Sequence, residues 1–202
     1  MEVPVFLVYG FLWYTSARRD QPVAIVFLLL FQLHYLQRAF VFPLLLKGKS
    51  RMPVAIMCMG IVFNLLNGYM QGYWLFHLAS ADDYTTEWLY SLPFVIGIVL
   101  FFVGMGINWH SDHVIRHLRE PGDTKHYLPQ KGMYRYVTSA NYFGEIVEWA
   151  GFALLTCSWA GAVFLWWSIA NLVPRANAIW HRYREEFGAE MGSRKRVFPF
   201  MY

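Results

Sequence analysis

Asn108, Asp112, Arg116 and Arg119 follow one another at i, i+4, i+8 and i+11, so a helix carried to Arg119 gathers an amide, a carboxylate and two guanidinium groups on one face. Asn141, Glu145 and Glu148 repeat the arrangement in the next apolar run, and a basic loop punctuated by Gly and Pro joins the two. Ionisable groups this close to long apolar runs are expensive unless they serve a ligand. Cations above carboxylates and amides suit an anionic, hydrogen-bonding molecule such as a phosphate-bearing cofactor or an anionic lipid head group. A second group lies earlier. His34, Tyr35 and Arg38 share a sector of one apolar run, where Tyr35 reads equally as an interfacial anchor or as a functional group. Glu2 stands at the start of the first run, either as a solvated end carboxylate or as a group placed at the membrane edge.

The elements that must hold these groups are membrane helices. The chain of 202 residues is 57% hydrophobic and only 15% charged, and its charges cluster between the apolar runs, which is the profile of a multi-pass membrane protein rather than a soluble core. There is room for about six spans of roughly 20 residues each. The fold class expected is all-α, a transmembrane bundle with loops capping a cofactor site, and one membrane domain spans residues 1–202. Apolar runs occupy residues 3–14, 22–46, 52–78, 88–107, 142–157 and 159–172, and a basic, aromatic tail continues helical through Phe187. The first run is short, and with no basic stretch before it does not read as a signal peptide. Cys58 and Cys157 lie in apolar runs and read as small buried hydrophobes, with no disulfide implied. Asn64, Asn67 and Gln71 form a polar stripe suited to hydrogen bonding between helices.

Loop charge sets the orientation. Lys47, Lys49 and Arg51, the loop from Arg116 to Arg135, and the tail with Arg182, Arg184, Arg194, Lys195 and Arg196 fall on one side of a six-helix arrangement. Arg18 and Arg19 fall on the other, against Asp82, Asp83 and Glu87. The more basic side is cytosolic, which puts both termini and the polar faces there.

His110, His113 and His117, at i, i+3 and i+7, have a spacing that can present imidazoles to a metal. At 100° per residue they lie almost opposite Asn108, Asp112 and Arg119, and His34, His77, His126 and His181 are scattered over other elements, so interfacial histidines are the preferred reading. No GxGxxG follows a strand, so a dinucleotide would be held by a non-Rossmann architecture.

The stretches GMGINWHSDHVIRHLREPGD and YLPQKGMYRYVTSANYFGEIVEWAGFAL resemble the C-terminal domain of the steroid 5α-reductase family. RANAIWHRYREEF and GSRKRVFPFMY resemble that family's ending, and HYLQRAFVFPLL and NGYMQGYWL its middle helices, so the likeness runs from about Glu2 to Tyr202. It implies an integral-membrane reductase of conjugated enones that uses NADPH, built on a seven-helix bundle with the cofactor under cytosolic loops. In that pattern residues 1–100 are the substrate-side helices and 101–202 the NADPH-binding part. Asn108, Asp112, Arg119, Asn141, Glu145 and Tyr183 would hold NADPH, and Glu2 and Tyr35 would hold the substrate carbonyl. Tyr35 would donate directly, while Glu2, were desolvation to raise its pKa, would donate or orient the phenol.

The family carries one more helix before the position of Glu2 and a Gln where this chain has Met1, so the chain is expected to have lost that helix or to be a fragment. Tyr127 stands where relatives carry a basic residue. Ile179 replaces a frequent His, and nearby His181 joins the cofactor set in its place. The expected partners are a steroid or related enone lipid and membrane lipids, with neither nucleic acid nor metal. The membrane would be the endoplasmic reticulum in a eukaryote or the inner membrane in a bacterium. A reductase of an enoyl-CoA or polyprenol substrate, and an inactive membrane binding or scaffold protein, are the alternatives.

Overall fold

The computed structural model describes residues 1–45, 52–80, 82–119, 123 and 125–202. Lys47, Lys49 and Arg51, to which the orientation argument appeals, lie outside the described residues. Among the described residues the chain is helical, with an isolated bridge between Val137 and Lys195 as the one sheet-like pairing. Six helices are described: α1 (Val3–Tyr14), α2 (Pro22–Leu36), α3 (Val54–Tyr73), α4 (Leu92–Arg116), α5 (Ala140–Thr156) and α6 (Trp159–Phe187).

Prolines mark where the first four begin. Pro4 and Pro22 sit in the opening positions of α1 and α2, Pro53 caps α3, and Pro93 is the second residue of α4. The missing N–H costs nothing there, and the fixed φ suits the first turn. Further along, Pro43 cannot donate back into α2, and the chain widens into a π-helical turn over Gln37–Val41 before the short α-turn Phe42–Leu45. A second π-turn, Trp74–Leu78, ends α3.

Pro22–Leu45, Val54–Leu78 and Leu92–Arg116 are each long and apolar enough to cross a membrane, and most of each span is not buried by the protein. Leu29, Leu44, Met59 and Val99 are among the large apolar side chains left exposed. Surfaces of this kind need lipid around them.

Two compact units are built from these helices. The first comprises Met1–Val95 with Thr156–Gly161. Within it α1 and α3 approach closely because α3 presents glycines: a Cβ on Gly68 would meet the Val5 carbonyl oxygen at 3.2 Å, and one on Gly72 would meet Leu12 and Tyr9. Small residues at such a crossing let two backbones pack without side chains between them. Tyr9 stacks on Phe31 at 3.9 Å between ring centroids and meets Phe76 edge-on, so aromatic rings fill the space beside the crossing.

The second unit comprises Ile96–Leu155 with Ala162–Tyr202. Its central feature is a glycine seam. Gly97 and Gly104 of α4 lie against Gly151 and Gly144 of α5, and a Cβ on any of the four would strike the other helix's backbone. The tail is woven into this unit. Arg194 donates from Nε to the Tyr134 carbonyl at 2.8 Å and from Nη1 to the carbonyls of Glu190 and Met191. The N–H groups of Thr138 and Ser139 bond the carbonyls of Lys195 and Arg196.

The last span and the tail form one helix through Phe187, with Pro174 inside it. Two local expectations change. α4 stops at Arg116, and the loop takes over before Arg119. Both cysteines are exposed, and Cys157 sits at φ 43° in the turn between α5 and α6 instead of in a buried run.

Candidate functional site

In the second unit the glycine seam decides which polar groups of α4 and α5 meet. Because Gly144 lies directly on the backbone of Asn108, the Asn108 amide reaches across and donates to the Asn141 carbonyl at 3.0 Å. Asn108, Ser111 and Asp112 are buried on that side of α4, and Glu148 is buried on α5. Asn141 and Glu145 are half-buried, two turns and one turn before Glu148. His110, His113 and His117 are exposed on the other side of α4, where with Tyr127 and Lys131 they line a cavity of about 530 Å³. The separation of a polar inner face from a histidine outer face is therefore real. Among the described residues no group of His, Cys, Asp and Glu side chains assembles into a metal-binding set.

The loop and the last helix bring more groups towards Asp112. Tyr134 is buried, and burial, reinforced by the Asp112 charge, pushes its phenol above the usual range. Burial also raises the half-buried phenol of Tyr183, within electrostatic reach of Arg119, Glu186 and Tyr142. Asp112, Arg119, Tyr134 and Tyr183 are thus neighbours, although Arg119 is exposed and lies beyond the helix that was to present it. His181 goes elsewhere: it is exposed on α6, its ring edge-on to Trp180 at 5.1 Å. Outside this group, His126 Nδ1 pairs with Glu186 at 2.7 Å and Tyr127 donates to Asp123 at 2.6 Å. The hydrogen bond from Tyr127 is the main reason the Asp123 carboxyl titrates below its usual range.

Amide, carboxylate and guanidinium groups are the types that bind the amide, hydroxyl and phosphate groups of a dinucleotide. Ser111 and Ser139 are fully buried, and their hydroxyls have no hydrogen-bond partner among the described residues. Each such hydroxyl costs about 1–3 kcal/mol unless a polar group meets it. Neither serine stands out in the sequence, since serine alone carries no pattern; only burial beside Asp112 and Asn141 identifies them.

In the first unit Tyr35 is buried on α2, between the rings of Phe31 and His34. Its oxygen accepts a hydrogen bond from the Asn67 amide at 2.9 Å. Glu2 precedes α1, and its carboxylate lies 3.9 Å from Arg38 Nε, in the π-turn that follows Tyr35. The Glu2 side chain is 28% exposed.

A family model described as 3-oxo-5-alpha-steroid 4-dehydrogenase matches residues 50–202. The 3-oxo-5-alpha-steroid 4-dehydrogenase 2 of Sus scrofa is 40% identical over 202 residues, covering 100% of this chain and 78% of that protein. The 3-oxo-5-alpha-steroid 4-dehydrogenase 1 of Rattus norvegicus is 38% identical over 193 residues, covering 96% and 73%. Steroid 5-alpha-reductase DET2 of Gossypium hirsutum is 37% identical over 207 residues, covering 100% and 80%.

Proposed function

The chain belongs to the 3-oxo-5-alpha-steroid 4-dehydrogenase family, and from that premise we propose that it reduces the Δ4 double bond of 3-oxo-4-ene steroids to 5α-dihydrosteroids at the expense of NADPH. It is an oxidoreductase, and the observation that carries the specific chemistry is the buried Tyr35 phenol, held in an apolar helix by Asn67, with Arg38, three residues on, paired to Glu2.

When bound, NADPH supplies the hydride that adds to the β carbon of the enone. Negative charge then develops on the steroid carbonyl oxygen, and a preorganised donor in a dry site lowers that barrier most. Tyr35 is that donor, and Glu2, anchored by Arg38, orients the substrate's carbonyl end. Residues 1–100 form the substrate side and 101–202 the cofactor part.

Asn108, Asp112, Asn141 and Glu145 hold the cofactor's hydrogen-bonding groups, with Ser111 and Ser139 adding hydroxyls at the same face. Arg119 meets phosphate, and Tyr183 closes the site from α6. His181 is the weakest member, because it is exposed and, two residues from Tyr183, falls on a different face of α6.

The bundle lies in the endoplasmic reticulum if the source is eukaryotic or the inner membrane if bacterial, with both termini and the cofactor face in the cytosol. The basic residues from Arg116 to Arg135 and in the tail support this orientation. The test is purified protein in detergent with NADPH and testosterone or progesterone, following nicotinamide absorbance. Turnover with steroid and none with an enoyl-CoA is the expected result. The reverse pattern overturns the steroid assignment, and NADPH binding without turnover of either substrate overturns the enzymatic one.

A further inference from the structure

The polar stripe of α3 does not act as a unit. Asn64 donates within its own helix to the Gly60 carbonyl at 2.8 Å, and Gln71 donates to the Ala160 carbonyl at 2.8 Å. Those two bonds satisfy backbone and tie the chain together, as carboxamides do in membrane helices. Asn67 differs. It is fully buried, its amide donates to the Tyr35 phenol oxygen at 2.9 Å, and its own carbonyl oxygen has no partner among the described residues.

We infer that Asn67 is a positioning residue that holds the Tyr35 phenol as a hydrogen-bond donor to the substrate carbonyl. The amide N–H occupies one acceptor site of the phenol oxygen, so the phenol's own proton must point away from Asn67. An N–H dipole aimed at that oxygen also stabilises the charge it gains as its proton is shared with the developing enolate oxygen.

The backbone that carries Asn67 has little room to move. Gly68 is seated on Val5, and Gly72, one turn on, is seated on Leu12 and Tyr9. The Tyr35 ring is held between Phe31 and His34 at centroid distances of 4.8 and 4.9 Å. Donor and acceptor are therefore both fixed before substrate arrives, which is what preorganisation requires.

This inference rests on the proposed steroid reduction, and a double-mutant cycle separates the two. Wild type, Asn67→Leu, Tyr35→Phe and the double variant are assayed with NADPH and a 3-oxo-4-ene steroid. Asn67→Leu is expected to lower kcat about tenfold, the loss of one hydrogen bond acting in the transition state. KM for steroid should stay within about threefold, since the bond is not made to substrate. In the Tyr35→Phe background the same change should alter kcat by less than about twofold, because the group it acts through is already gone.

An equal loss in both backgrounds, or a loss confined to KM, makes Asn67 interhelical glue and overturns the inference while leaving the reduction intact. A wild-type protein that turns over no steroid overturns both. If Asn67→Leu does not yield folded protein, Asn67→Thr, whose hydroxyl stops short of the phenol, takes its place in the cycle with the same outcomes.

Discussion

The Asn108 side chain donates to the Asn141 main-chain carbonyl across 3.0 Å, at the point where Gly144 lies on the Asn108 backbone. A side chain on one helix is thereby bound to the first turn of the next. Asn108 is buried there, while Asn141 stays half-buried on α5.

Removing cofactor contacts should weaken nucleotide binding without unfolding the bundle. Asn141→Ala and Arg119→Ala are each expected to raise the NADPH dissociation constant about tenfold, the scale of one hydrogen bond to a charged or strongly polar group. Nucleotide fluorescence titration in detergent measures this. Unchanged affinity in both variants would place the cofactor elsewhere.

Tyr35→Phe removes a hydroxyl and little volume. Its expected effect is a fall in kcat of about 100- to 1000-fold, the range seen when one donor to a developing oxyanion is lost. NADPH affinity should stay near that of wild type. Steady-state kinetics with a 3-oxo-4-ene steroid checks the first, and nucleotide titration the second.

Filling the glycine seam attacks the site through its scaffold. At Gly104 a Cβ would collide with the Glu148 backbone, and at Gly144 with the Asn108 backbone at 2.5 Å, so relief requires the helices to part. Gly144→Val is expected to destabilise by at least about 1–3 kcal/mol, the usual cost of overpacking a filled interior, and more where backbone is the obstacle. The midpoint of thermal unfolding in detergent is the measurement. NADPH affinity should fall with it, because Asn108 and Asn141 separate together.

Alkaline pH should test the buried loop phenol. Burial holds the Tyr134 pKa above its unfolded value, so folded protein binds that proton more tightly than unfolded protein does. The resulting stability is complete below about pH 10, the unfolded phenol's pKa, and is lost as pH rises from there through the higher folded value. Tyr134→Phe should flatten the decline in unfolding temperature between about pH 9 and 11 relative to wild type. Equal slopes for the two proteins would show that the Tyr134 phenol titrates alike in the folded and unfolded states, so that burial does not raise it.

Much of the architecture is legible in residue order. Long apolar runs with prolines at their starts locate α1 to α4 to within a few residues, because hydrocarbon length and the missing proline N–H are local constraints. The opposition of Asn108 and Asp112 to the three histidines also follows from helical periodicity. Other features are invisible at that level. Arg194 and Arg196 count as loop charge in an orientation argument, whereas Arg194 clamps the tail to Tyr134 and Arg196 donates to Asn177 at 2.6 Å.

Residue order by itself determined the helical class, the family and the set of polar faces, since each depends on composition, period or motif within one segment. Tertiary structure alone decided which groups meet. Asn67 and Tyr35 are 32 residues apart, and Ser111 and Ser139 acquire meaning only as buried hydroxyls. Glu2 and Arg38, far apart in the chain, lie within 3.9 Å of each other. Such pairings depend on how closely backbones approach, and that distance is set by glycines on one helix meeting the main chain of another, which no single segment encodes.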